Sequence, residues 1–416
     1  MPRLGHAGRG ERPDATAALL ERLAAHDGLA CLALRLSLSG VERALGAILI
    51  ECLSRRVRLA VEVDGDGDPG LVANALTALA ARLGKRRPRL GLVGAHVMLP
   101  SLDTARLESL ALDPPMPPGA KLVGASAPLG AEPLLGLLAK GSEVIVCGPL
   151  SPGALAVALC RQDHRWNAGD HDLLAGAAAA GRILCAGAGA TGGDLDEAPA
   201  GIGLPFVDIA PDGVAAFAST GSPLRNAGLA LALLDGVRDP AAIREPDVTV
   251  DLADATLLGP NLSGVRGGAP ADRVEGSLVF EVGHVAEAEC AYGGTGAAAR
   301  AVAAARELEG RLAALLGDER FRIEIAGLDA ATKSAGERAS DLSVVPSRDV
   351  RLRMAARTAS RASGEAALAE FVALASFGPA SAGGFTTRLS PERRASVAHF
   401  PRAYVNWRAT ASAADS

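Results

Sequence analysis

The sequence predicts an α/β fold: a mostly parallel sheet with helices on both faces, followed by a smaller α+β region. Three observations carry this reading. Short apolar runs alternate with segments of helical periodicity through the first half of the chain; glycine-rich turns follow several of the apolar runs; and after Pro246 the texture changes to short, partly alternating runs typical of antiparallel strands.

Taken in order, Asp14 to Ala25 opens on a capping residue and sets Leu19, Leu20 and Leu23 on one face, which predicts a helix. Leu29–Leu36 reads as a buried strand, Val41–Cys52 as a helix and Val57–Val63 as a second strand. The unit repeats with a helix over Leu71–Leu83, strands at Leu90–Val93 and Lys121–Val123, a helix over Ala131–Leu138 and a strand at Val144–Cys147. Ala154–Ala186 reads as helical, with a break at Trp166-Asn167-Ala168-Gly169 and Asp170 capping the next helix. Arg225–Gly236 is one more helix, ended by glycine. Strands are expected at Val248–Val250, Ala255–Leu258, Gly276–Val282 and Glu287–Tyr292. A helix over Ala297–Leu316, strands at Phe321–Ile325 and Val350–Ala355 and a helix over Glu365–Leu374 complete the series, with an exposed loop at Ala330–Arg348. The expected organisation is an α/β core over 1–245, an α+β region over 246–408 and a flexible tail over 409–416.

Composition narrows the function. Of the 416 residues 49% are hydrophobic but only 3% aromatic, so the cores are built from Ala, Val, Leu and Ile, and base stacking on aromatic platforms is excluded. Net charge is −5, with 42 basic and 47 acidic residues scattered along the chain, which argues against nucleic-acid binding. Lys85-Arg86-Arg87-Pro88-Arg89, the densest basic patch, reads as a solvated helix end and loop. Six cysteines without a C-x-x-C pair indicate reduced, buried thiols and a cytoplasmic protein. No apolar run has the length of a membrane span.

The glycine-rich turns are Gly8–Arg12, Asp64–Pro69, Gly124–Gly130, Gly148–Gly153 and Gly187–Gly193. At the carboxyl ends of parallel strands such turns form the crevice that receives a ligand. Gly187-Ala188-Gly189-Ala190-Thr191-Gly192 satisfies G-x-G-x-x-G, but it follows a helical segment and precedes no apolar-periodic helix, so a dinucleotide site is not expected. Asp64, Asp66 and Asp68 have the spacing of a calcium loop, yet Pro69 and Ala75 stand where glycine and glutamate are required. His164, His171 and the aspartates around them form the one dense His/Asp cluster; the intervening helix break argues against a metal, and none is expected. The other histidines, His6 among them, read as isolated.

In order and spacing these motifs resemble the AtuA family, named for acyclic terpene utilisation. Gly8-Arg9-Gly10-Glu11-Arg12 stands for the family's opening glycine-rich turn, one residue shorter and with Glu for Asp. Thr191-Gly192-Gly193 and Gly264-Val265-Arg266-Gly267 match as they stand, and Arg351–Thr358 resembles the closing strand. The departures fall on polar positions: Asp64-Gly65-Asp66-Gly67 replaces an Asn-Ala-Gly-Gly-type loop, Pro149 and Pro152 replace Arg and Asp, and Cys185-Ala186-Gly187 replaces Glu-Cys-Gly.

The resemblance implies a catabolic enzyme acting on a branched acyl-CoA or carboxylic acid, a carbon-carbon lyase of a branched 3-hydroxyacyl-CoA being the usual proposal. Such a lyase needs a base for the hydroxyl and a cation for the enolate. Glu11 is the candidate base, and Arg12 or Arg266 the anion binder. Gly8, Gly10, Ser126, Gly130, Thr191, Gly192 and Gly193 are candidates for ligand contact. No cofactor is expected beyond the coenzyme A moiety of a substrate. The expected partners are an acyl-CoA or carboxylate ligand and a second copy or an AtuA-like relative, with no nucleic acid and no membrane. The alternative is a paralogue that has lost catalysis and serves as a binding or assembly subunit.

Overall fold

The computed structural model describes residues 1–6, 17–36, 38–63, 68–97, 110–191, 203–221, 223–328, 349–378 and 382–411. In chain order they form β1 (Arg3–His6), α1 (Ala17–Ala24), β2 (Cys31–Leu36), α2 (Leu38–Arg55), β3 (Arg58–Val63), α3 (Pro69–Arg82), β4 (Leu90–Val97), β5 (Lys121–Ser126), α4 (Glu132–Ala139), β6 (Val144–Cys147), α5 (Ala154–His164) and α6 (His171–Leu184). There follow β7 (Pro205–Ile209), β8 (Ala215–Ser219), α7 (Asn226–Leu234), β9 (Ile243–Arg244), β10 (Thr249–Asp251), β11 (Thr256–Leu258), β12 (Asn261–Ser263), β13 (Arg266–Gly268) and β14 (Arg273–Gly293). The series closes with α8 (Ala297–Leu316), β15 (Phe321–Ala326), β16 (Asp349–Thr358), α9 (Arg361–Phe377), β17 (Ala382–Pro401) and β18 (Val405–Ala411).

The chain divides into two compact units, 1–112 with 125–277 and 397–416, and 113–124 with 278–396. The first holds a ten-stranded sheet in the order β11-β12-β8-β7-β1-β2-β3-β6-β4-β18. Its centre, β1-β2-β3-β6-β4, is parallel, and the flanking strands pair antiparallel. The predicted α/β class is the one observed.

The parallel strands send apolar side chains to both faces, and their alternation feeds two cores. Leu32, Leu34, Leu59, Val61, Val144 and Val146 join α1, α2 and α3 on one side. Cys31, Ala33, Ala60, Ile145 and Cys147 join α4, α5, α6 and α7 on the other. The first three crossovers step the same way along the sheet, and β6 then inserts between β3 and β4. That reversal sends α4 to the opposite face, because parallel crossovers keep one hand, and α5 and α6 pack there beside it.

Helix ends follow local chemistry. Asp68 accepts from the Gly70 N–H at 2.7 Å, and Pro69 opens α3 behind it. Ser360 caps α9 by accepting from the Ser363 N–H at 3.0 Å. Arg165 takes a left-handed φ of +59° and ends α5, so the helical stretch Ala154–Ala186 is two helices. Asp170 does precede α6, but its carboxylate turns back to the Asn167 N–H at 2.6 Å and does not cap the helix.

The second unit is a sheet in the order β15-β16-β14-β17, with α8 and α9 packed on one face around Phe371, Tyr292 and Leu308. Two expectations are corrected by this sheet. Gly276–Val282 and Glu287–Tyr292 are one continuous strand, β14, carried through Gly283, where a side chain would meet the Thr358 carbonyl oxygen at 2.4 Å. Lys121–Val123 is a strand, but β5 pairs with β14 and takes no place in the parallel sheet. The predicted exposed loop, Ala330–Arg348, lies outside the described residues.

Candidate functional site

The carboxyl ends of β1, β2, β3 and β6 lie side by side. Register sets His6 beside Ala33, Arg35 beside Glu62, and Glu62 beside Cys147. Strand parity turns His6, Glu62 and Cys147 to the face covered by α5 and α6. There they line a narrow crevice with Ser151, Pro152 and Cys185. Its free volume is about 20 Å³, room for roughly one water molecule.

Close helix packing brings Cys185 to this place. At Gly153 an added side chain would lie 2.5 Å from the Ala178 Cα, and at Gly181 it would lie 2.7 Å from the Pro152 carbonyl oxygen. The two helices therefore meet backbone to backbone, and the end of α6 arrives above β1. The Cys185 Sγ lies 3.8 Å from His6 Nε2 and 3.6 Å from the Pro152 carbonyl oxygen, which accepts from the thiol.

His6 and Glu62 are both buried, and the Arg35 Nε stands 4.0 Å from Glu62 Oε1. Ser151 is buried as well, and its hydroxyl has no hydrogen-bond partner among the described residues, which is uncommon for a buried polar group. Backbone bonds fix it: the Ser151 N–H donates to the Leu129 carbonyl at 2.8 Å, and the Leu129 N–H donates to that of Pro149 at 2.9 Å. The glycine-rich turns at 124–130 and 148–153 are thereby stitched together. The amino terminus of α5 opens beside them with no side-chain cap, which leaves the positive end of its dipole uncapped.

Sequence reasoning read His6 as isolated and missed Glu62, Ser151 and the approach of Cys185. The available signal was position, since His6, Glu62 and Cys147 close the parallel strands and share one parity. Glu11, Arg12, Gly8, Gly10, Gly192 and Gly193 lie outside the described residues. Thr191 ends a short 3₁₀ helix, Gly187–Thr191, that follows α6 directly, so the G-x-G-x-x-G match has no strand before it. Ser126 ends β5, exposed, its carbonyl oxygen against Gly276. Arg266 is 62% exposed, pairs with Asp172 at 3.5 Å and Asp254 at 3.7 Å, and does not line the crevice. His164 gives its Nε2 to the Ile209 carbonyl at 2.9 Å and its ring to Trp166. Among the described residues no cluster of His, Cys, Asp and Glu is arranged to hold a metal.

Gly130 makes room for a carboxylate. An added side chain there would lie 2.5 Å from Asp247, whose two oxygens accept from the Ala131 N–H at 2.9 Å each and cap α4 from 116 residues away. Burial, opposed by that hydrogen bond, pushes the Asp247 carboxyl up to about 6. A raised carboxyl favours folding fully below its unfolded value near 3.8, and the advantage is lost as pH rises through about 6. At about 1.4 kcal/mol per pKa unit, roughly 3 kcal/mol is at stake. Between pH 4 and 7 the stability of Asp247→Asn should therefore gain steadily on the wild type in parallel thermal melts. A difference independent of pH would reject the assignment.

The family model of the acyclic terpene utilisation family protein AtuA matches residues 39–411. This chain belongs to the AtuA family. The match contains Glu62, Cys147, Ser151 and Cys185, and β1 with His6, β2 and the Gly8–Arg12 turn precede it. No curated protein and no solved structure matches the chain. Membership in the AtuA family points to acyclic terpene utilisation. All six cysteines are free thiols, five of them buried, and among the described residues no helix is long and apolar enough to cross a membrane.

Proposed function

We propose that this chain is a cytoplasmic enzyme of acyclic terpenoid or branched-chain acyl catabolism that cleaves a branched 3-hydroxyacyl thioester, and that the crevice below α5 and α6 is its reaction site. The observation that carries this is the His6–Cys185 contact at the carboxyl edge of the parallel sheet, where ligands of open α/β folds bind. His6 takes the proton of the tertiary hydroxyl; the bond between the carbinol carbon and the α-carbon breaks to give a ketone and a thioester enolate. The amino terminus of α5 steadies the enolate, and the Cys185 thiol returns a proton to its carbon. His6 then hands its proton to Cys185, and the balance closes without water or an oxidant. Arg12, six residues past His6, is proposed to hold the substrate's anionic group, with Glu11 as a second base.

The test is incubation of the purified protein with a 3-hydroxy-3-methyl branched acyl pantetheine thioester, read by mass spectrometry for the ketone and acetyl thioester. A thermal shift accompanies it, since a ligand at a hundred times its Kd adds about 2.7 kcal/mol of stability. Product, with a shift diminished in Arg12→Ala, supports the enzyme. The tight crevice favours a second reading, a non-catalytic binding or assembly subunit in complex with an AtuA-like relative. Neither product nor shift with any thioester would favour that reading.

A further inference from the structure

The opposite edge of the parallel sheet carries a second concavity. At the amino ends of β2, β3, β4 and β6, a depression of about 580 Å³ is lined by Arg56, Arg58, Arg86 and Arg89, with Glu143 as its one carboxylate. The strands span about 20 Å, at roughly 3.3 Å per residue, so this site is separate from the crevice.

Three segments, 52–58, 86–89 and 141–143, build most of it. Arg86 and Arg89 belong to the basic stretch after α3, which by sequence reads as a solvated loop. They share Glu143: Arg86 donates to both of its oxygens, and the Arg89 N–H donates to Oε2 at 2.9 Å. The Arg86 hydrogen bond is the largest cause holding Glu143 below the usual carboxylate range, so it is ionised. The Arg89 guanidinium rests on Gly141, which at a φ of +71° leaves it space. Arg56 follows the end of α2 and Arg58 opens β3, and no ion pair engages either among the described residues. Arg56 holds a left-handed φ of +59°, a conformation that favours glycine over any β-carbon residue. As at Arg165, this conformation ends the helix before it.

We propose that this amino-edge depression binds a small ester or anhydride carrying two linked phosphates. Four guanidinium groups against one carboxylate leave three positive charges, which match the roughly three negative charges of a diphosphate at neutral pH. Guanidinium forks fit phosphate oxygens in pairs, and the volume lies in the range of small-molecule pockets. Ala30, Cys52, Leu53 and Val57 supply an apolar wall for an organic group attached to the phosphates.

The experiment is calorimetric titration of the full chain at low salt with pyrophosphate, ADP and orthophosphate. Saturable binding of pyrophosphate at least tenfold tighter than orthophosphate is expected, weakening steeply with added salt. ADP tighter than pyrophosphate assigns the apolar wall to the nucleoside, and equal affinity assigns the site to the bare diphosphate. Arg56→Gly fits the left-handed backbone and keeps the fold; it should lower affinity at least tenfold while raising the melting temperature of the free protein. His6→Ala should bind pyrophosphate as the wild type does, which separates this site from the crevice. No saturable binding of pyrophosphate or ADP, or unchanged affinity in both Arg56→Gly and Arg58→Ala, overturns the proposal.

Discussion

Gly267→Ala will destabilise the first unit by about 3 kcal/mol or more, a large cost for one methyl group. Strand β13 lies against the amino terminus of α6, and a β-carbon at Gly267 would sit 1.9 Å from the His171 carbonyl oxygen and 2.2 Å from its carbon. Both obstacles are backbone, so no side chain can swing aside. Relief requires β13 to lift from α6, and that stretches the 2.7 Å bond from the Gly267 N–H to Asp172. Gly268→Ala is the control, because its β-carbon would meet the Thr249 Cβ at an ordinary 3.8 Å. Urea unfolding of the two variants should separate them by at least about 2 kcal/mol. Equal losses would show that β13 does not approach the helix this closely.

On the proposed reaction, His6→Ala is expected to lower turnover of a branched 3-hydroxyacyl thioester by roughly 10²–10⁴-fold, the usual contribution of a positioned proton-transfer group. The imidazole is buried on the crevice face of β1, with a thiol 3.8 Å away. His26→Ala removes an imidazole that packs 4.2 Å from the Phe206 ring, outside the crevice lining, and should leave the rate within about twofold. Single-turnover measurements will separate a lost proton acceptor from lost binding, since the former lowers kcat with little change in KM. Comparable losses in both variants would remove His6 from the chemistry.

Most of the first unit was legible because its strands are short apolar runs between amphipathic helices. Val144–Cys147 is apolar on both faces, which only a sheet covered on both sides accommodates, and Val57–Val63 is apolar apart from Arg58 and Glu62 near its two ends. The antiparallel additions were harder to read. β7 and β8 flank Pro211-Asp212-Gly213, a hairpin turn signal that the sequence analysis did not use, and β17 is a mostly exposed strand of mixed polarity whose pairing with β14 no local pattern encodes. The site was less legible than the fold. His6, Glu62 and Cys185 stand 56 and 123 residues apart along the chain, and their meeting depends on strand order and on two glycines that let α5 and α6 touch. The substitution at Cys185 reads as a loss of polarity; in the fold it places a thiol against the backbone carbonyl of residue 152.

The pairing of β4 with β18 bears on how the protein is made. Val97 is synthesised about 300 residues before its partner Val405. At roughly 5–20 residues per second, the ribosome leaves that flank of the nascent sheet open for some 15–60 seconds. An open edge is a template for another chain, so this interval is when the polypeptide is most exposed to aggregation. Chaperone demand should accordingly fall only once the last strand has emerged, and messages truncated before the codon for Val405 should yield insoluble product whatever the state of the remaining fold.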